Sequence, residues 1–163
     1  MNEILAEWKD FNVAIVGATA ALGGLVIVAA SVNIADIVKS RSLTARLGSG
    51  IVMLVAALVA SATALMPAID ETWYGGILLA IAVAALAFQI GVARAVMKNQ
   101  DPRSKANWAK SALGFLPGSL YLVAGVLGVL GVPAALYLAA AGAILAIIAA
   151  LVVSWVALVE VLR

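Results

Sequence analysis

Cysteine and histidine are both absent from this sequence of 163 residues, and charged side chains are scarce. Without cysteine the chain has no disulfides, no thiolate nucleophile and no Cys-ligated metal centre. Without histidine it lacks the commonest general base and the commonest transition-metal ligand. We therefore expect no catalytic residues, no cofactor and no metal site.

The low charge content identifies the class of protein. Only 11% of the residues are charged and 66% are hydrophobic, with a mean hydropathy of +1.17. Soluble domains average about 25% charged and about 45–50% apolar residues. A chain with so few charged side chains cannot cover a surface that faces water. The composition excludes a soluble enzyme, a nucleic-acid binder and a disordered chain, and it predicts an integral membrane protein.

Charged residues divide the sequence into four apolar intervals. Three of them hold 22 to 25 uncharged residues, enough for a helix to cross about 30 Å of hydrocarbon. The fourth, 111–159, has 49 uncharged residues and must fold back on itself. Gly131-Val132-Pro133 is the natural hinge, because glycine releases one helix and proline can begin the next.

The predicted fold is therefore an all-α integral membrane protein, a single transmembrane domain over 1–163 built as a bundle of five helices. A short amphipathic segment at 3–11 precedes the first span, either as a helix on the outer surface of the membrane or as a frayed terminus anchored by one tryptophan. The predicted spans are about 12–35, 47–66, 73–93, 112–131 and 134–159.

Lysine and arginine predict the orientation. Nine of the ten lie on one side, in the loops after the first span (including Arg46) and the third span (including Arg94) and at the C-terminus. Only Lys9 lies on the other side, where Asp70 and Glu71 fill the second connection. Positively charged loops stay in the cytoplasm. We expect the N-terminus outside, the C-terminus in the cytoplasm, and a multi-pass protein of the inner or plasma membrane.

Small residues recur at helical spacing in several spans. Such residues let helix backbones approach closely, and in lipid this packing drives helix association. The pattern indicates either packing among the five helices or an interface with a second copy or a partner membrane protein, and both interpretations stay open. The helix-packing candidates are Gly17, Gly24, Gly76, Ala80, Gly114 and Gly118.

Polar residues inside the spans gather near the ends expected to face the cytoplasm, and polar residues at membrane depth are candidates for function. In one interpretation Arg94 pairs with Asp36 or Glu160 in a polar pocket open to the cytoplasm. In the other, these charges mark the membrane interface, while amide side chains bond across helices. The pocket candidates are Asn33, Asp36, Gln89, Arg94, Ser154 and Glu160.

Two functional hypotheses follow. The first is a non-catalytic membrane protein that acts by helix packing with itself, a partner membrane protein or membrane lipid. The alternative is a small oligomeric channel or transporter, because five short helices enclose little volume alone. An enzyme is disfavoured, since no acidic or basic residue lies in the middle of any span, and no nucleic-acid partner is expected.

Two segments of the chain resemble a family of small bacterial membrane proteins, chiefly actinobacterial. They are Gly23–Pro67, which contains Ser31-Val-Asn33, and the terminal Ser154-Trp-Val-Ala-Leu-Val-Glu-Val-Leu-Arg163. Together they cover about a third of the chain. The resemblance implies a small five-span bacterial membrane protein, and it carries no activity, cofactor or site residue with it.

Overall fold

The computed structural model describes residues 5, 7–67, 69–97 and 107–161, and this part of the chain is helical without any strand. Four of its helices are long and apolar enough to cross a membrane, and a fifth has a shorter apolar stretch over Leu113–Val129. The prediction of an all-helical bundle is confirmed, and the long apolar helices indicate a membrane-embedded protein. The helices are α1 (Lys9–Val32), α2 (Ile34–Ile37), α3 (Arg41–Ala64), α4 (Glu71–Met97), α5 (Asn107–Val129) and α6 (Ala134–Val161).

Helices α3 to α6 form a closed ring of four, in which each packs against the next and α6 returns to α3. Helix α1 lies outside this ring and packs mainly against α3. Half of the apolar window of α3 is buried, against 17% for α1. Helix α3 is therefore the centre of the bundle, and α1 leaves most of its apolar surface facing outward.

Alanine is the commonest residue in the core. One apolar cluster joins α1, α3 and α6 around Leu54, Ala57 and Ala146, and a second joins α3 to α6 around Leu78 and Tyr121. Small side chains allow the helices to approach closely, which increases the packing contacts that hold a bundle together in lipid.

The hinge between α5 and α6 has the predicted residues. Gly131 has a φ of +70°, in the left-handed region where a side chain is unfavourable. The Gly131 amide donates to the Gly128 carbonyl at 3.0 Å, and the Val132 amide donates to the Leu127 carbonyl at 2.9 Å. These two bonds are those of a Schellman motif, which ends a helix at a left-handed glycine. The predicted helical hairpin is confirmed.

The helix ends differ from several boundaries of the predicted spans. Helix α1 ends at Val32 rather than 35. The backbone N–H of Asn33 donates to the carbonyl of Ala30, three residues back, so the series of α-helical hydrogen bonds stops there. Arg46 and Arg94, assigned to loops from the sequence, lie within α3 and α4. A helix satisfies its own backbone hydrogen bonds whatever side chain it carries, so a charge that ends an apolar interval does not end the helix.

The N-terminal segment predicted at 3–11 is described from residue 5 onward, except for residue 6. Leu5 is buried, and Trp8 and Phe11 are half-buried against the bundle. Glu7 and Asp10 are exposed. The described residues thus have apolar side chains on the inner side and carboxylates on the outer side, and α1 begins within this segment, at Lys9.

Candidate functional site

A row of polar side chains on α3 faces the interior of the bundle. Ser42, Arg46 and Ser49 are all less than 9% exposed. Their spacing of four and then three residues places them on one face of the helix. They lie in the first turns of α3, at the end of the bundle where α1, α4 and α6 finish. This end of the bundle therefore has three buried polar side chains on one helix, whereas the other buried polar residues of α1 and α3, Asn12, Thr19 and Ser61, lie farther along the bundle.

One interhelical hydrogen bond crosses this polar end. The Ser49 hydroxyl donates to Oε1 of Gln89 on α4 at 2.7 Å, and both side chains are buried. Gly114 on α5 leaves the space that the Gln89 amide occupies, because any side chain at 114 would overlap that amide. Helices α3, α4 and α5 meet here around a single amide group.

Ser154 on α6 is the fifth buried polar residue at this end. Its side chain is 3% exposed, and its hydroxyl makes no hydrogen bond within the described part of the chain. The Ser154 oxygen lies 2.8 Å from the position that a Cβ of Gly50 would take. A side chain at position 50 would therefore overlap the Ser154 hydroxyl. Gly50 lets α3 and α6 approach at this point.

The structure separates the six predicted pocket residues. Asn33 is half-buried at the end of α1, and Arg94 is exposed. Asp36 is exposed and pairs with Lys39 at 2.7 Å, one turn along the chain, rather than with Arg94 as one interpretation expected. Glu160 falls in α6, but its side chain lies outside the described residues. Of the five whose side chains the structure describes, only Gln89 and Ser154 are buried within the bundle.

The polar row on α3 is absent from the sequence prediction, which places Arg46 in a basic loop and does not include Ser42 and Ser49. A signal for it exists, because polar residues at 42, 46 and 49 repeat with helical spacing. Charged residues define the ends of the predicted apolar intervals, so the residues before Arg46 fall outside the predicted second span.

The predicted helix-packing residues also divide into two groups. Gly114 and Gly118 pack inside the chain, against Gln89 and Leu86 of α4 respectively. A side chain on the other glycines, in α1 and α4, would meet no atom within 4 Å. That second group is exposed on the outer faces of the bundle: Gly17, Gly24, Gly76 and Ala80.

A small cavity lies at the opposite end of the bundle. It is about 10 Å³ in volume and its lining includes Asn12, Ser61 and Tyr74, which is room for about one water molecule. These three side chains are buried. The fully buried Tyr121 has a hydroxyl without a hydrogen-bond partner in the described residues. The polar groups of this end are therefore few and lie on several helices.

The chain matches no protein-family model, no curated protein and no solved structure. Among the described residues, no three acidic side chains come close enough to hold a metal ion. What the molecule does is therefore inferred from its own residues and geometry. The features to be explained are the buried polar end and the outward-facing small residues of α1 and α4.

Proposed function

We propose that this chain is a non-catalytic five-span protein of a bacterial cell membrane that acts by packing its helices against itself, a partner membrane protein or lipid. Its N-terminus lies outside and its C-terminus in the cytoplasm. The four long apolar helices support the membrane location, with the apolar part of α5 as the fifth crossing. The nine-to-one distribution of basic residues supports the orientation.

Aromatic residues support the same placement in the membrane. Trp8 and Tyr137 come from the starts of α1 and α6 and contact each other edge to face, with ring centroids 4.9 Å apart. Trp73 at the start of α4 is exposed at the same end, and Trp155 is exposed near the other end of the bundle. Tryptophan and tyrosine favour the headgroup region of a bilayer, so two such belts are consistent with a bundle that crosses from one interface to the other.

The outer face of α4 is the observation that carries the packing proposal. It is a continuous row of exposed small residues along the helix, and the outer face of α1 has a shorter row over 17–24. The same molecule already uses glycines of this kind to bring α4 and α5 together. In lipid the hydrophobic effect does not drive helices together, and close packing at rows of small residues favours association with another helix instead. The α4 row is Gly76, Ala80, Ala84, Ala87 and Gly91.

Cysteine cross-linking tests the self-association form of this proposal, because the natural chain has no cysteine. Ala80→Cys and Ala84→Cys should form disulfide-linked dimers in native membranes under mild oxidation. Val126→Cys is the matched control, since that residue is exposed on α5, away from the α4 row. Equal cross-linking at all three sites, or a monomer at every concentration in native-like lipid, would contradict self-association through α4.

The buried polar end favours a second candidate function, a small oligomeric channel or transporter. Ser49, Gln89 and Ser154 bring polar side chains from three helices into the bundle at the end expected to face the cytoplasm. A flux assay in proteoliposomes tests this candidate. Transport that Gln89→Leu abolishes would favour it over the packing role, and the absence of ion or metabolite flux would contradict it.

A further inference from the structure

An apolar groove lies between the first turns of α1 and the connection from α3 to α4. Its volume is about 260 Å³, near the lower end of typical ligand pockets, about 300–1,000 Å³. Leu5, Lys9 and Val13 line one side, where Lys9 and Val13 are four residues apart on one face of α1 and Leu5 precedes the helix. Ala64, Met66 and Ile69 line the other side. Every side chain in the lining is apolar except Lys9.

Lys9 is the one charged group of this groove. Its side chain is exposed, and within the described residues its ammonium makes no ion pair or hydrogen bond. The carboxylates of Glu7 and Asp10 flank it in the sequence, and Asp70 directly follows the lining residue Ile69. All three carboxylates belong to exposed residues. The groove thus has one unpaired cation and an otherwise apolar lining, and exposed carboxylates adjoin two of its lining residues, Lys9 and Ile69, in the sequence.

We propose that this groove holds one acyl chain of a phospholipid from the adjacent leaflet, with the lipid phosphate at Lys9. The proposal rests on the membrane location proposed above. The groove lies at the ends of apolar helices, where the headgroups and upper acyl chains of a bilayer are found. A lysine near the interface attracts anionic headgroup phosphates. The neighbouring carboxylates favour a headgroup that also carries an ammonium, as phosphatidylethanolamine does.

The size of the groove favours a lipid chain over a protein segment. One turn of a helix, about 5.4 Å long and about 10–12 Å across with its side chains, occupies roughly 400–600 Å³, more than the groove volume of about 260 Å³. An extended acyl chain is a single row of methylenes and needs no hydrogen-bond partners. Among the lining side chains only that of Lys9 can form a hydrogen bond, so a peptide in extended form would find few side-chain partners for its backbone groups.

Photo-crosslinking tests the proposal with a phosphatidylethanolamine that carries a diazirine in its acyl chain. The protein is reconstituted in vesicles containing this lipid, irradiated, and mapped by peptide mass spectrometry. The expected result is labelling concentrated at the groove, around Met66. Lys9→Gln should reduce the groove labelling at least threefold, whereas Lys9→Arg should retain it. Phosphatidylglycerol with the same diazirine chain should label the groove less.

A bulky side chain in the groove gives an independent test. Val13→Trp should fill the space and remove the labelling at Met66. Val28→Trp is the matched control, since Val28 is exposed on the same helix and does not line the groove. Circular dichroism confirms that both variants keep their helices. Groove labelling that is unchanged in Lys9→Gln and Val13→Trp would overturn the proposal, and so would stronger labelling by phosphatidylglycerol.

The same map distinguishes failure of this site from failure of the membrane assignment. Labelling along the outward faces of α1 and α4, with none at the groove, would overturn the lipid site and leave the membrane location standing. Absence of labelling on every apolar helix would overturn both.

Discussion

Gly75 and Gly76 are neighbours in α4, yet only one of them has room for a side chain. A Cβ on Gly75 would lie 2.5 Å from the backbone nitrogen of Val129 and 2.6 Å from the carbonyl carbon of Gly128. A Cβ on Gly76 would meet nothing within 4 Å. The sequence shows two equivalent glycines, and only the packing of α5 against α4 distinguishes them. At the residue scale, the structure therefore distinguishes a glycine needed for close helix packing from a neighbouring glycine that is not, which the sequence alone cannot do.

Substitution of these two glycines should have opposite effects. Gly75→Ala should push the backbone of α5 away from that of α4. Overpacking of this kind lowers the free energy of unfolding by about 1–3 kcal/mol. Gly76→Ala should be neutral, or stabilising by up to about 1 kcal/mol, because alanine favours a helix over glycine. Thermal unfolding in lipid nanodiscs measures both. A Gly75→Ala protein as stable as the natural chain would contradict the close α4–α5 contact.

The Ser49–Gln89 hydrogen bond should contribute measurably to stability. Polar bonds between helices in membranes are worth about 0.6 kcal/mol on average and about 1–2 kcal/mol in model peptides. We expect Ser49→Ala to lower the free energy of unfolding by about 0.5–2 kcal/mol. Ser119→Ala is the control, because that exposed hydroxyl donates only to Leu116 of its own helix. Equal losses from the two substitutions would show that the interhelical bond contributes nothing.

The ends of the helices show how far a charge pattern can predict structure. The apolar intervals locate α1, α3 and α4, and the glycine–proline hinge separates α5 from α6. The exact ends differ because charged residues continue the helices: Arg46 lies inside α3 and Arg94 inside α4. Arg94 is exposed, whereas Arg46 is buried on the helix face that also carries Ser42 and Ser49. Both arginines mark the end of an apolar interval in the sequence, yet one is buried in the fold and the other is exposed.

The α5–α6 hinge should depend on the left-handed conformation of Gly131. Gly131→Ala should cost about 1–2 kcal/mol, because a Cβ is disfavoured at that backbone geometry. Gly131→Asn should cost less, since asparagine tolerates the conformation better than other residues with side chains. Urea or thermal unfolding of the reconstituted protein provides the comparison. An alanine variant more stable than the asparagine variant would contradict the Schellman motif.

For the whole molecule, the sequence predicted the helical bundle but not which face of each helix is inward. In a soluble protein the apolar face identifies the core. Here α6 is apolar over nearly its whole length, and the lipid-facing side of such a helix is as apolar as the core. Gln89 and Ser154 were found from the sequence because they are polar, whereas the outward position of Gly76 required the packed structure.

Membrane topology is the property on which the proposed location and orientation depend. The α4 packing surface and the lipid groove depend on it as well. Single cysteine substitutions in this cysteine-free chain can be labelled with a maleimide that does not cross membranes. Asp70→Cys in the α3–α4 connection and Val132→Cys in the α5–α6 hinge should react from outside intact cells. Lys105→Cys, between the basic residues after α4, should react only after the membrane is opened. Reaction of Asp70→Cys from the cytoplasmic side only, or of all three sites from one side, would contradict the five-span arrangement.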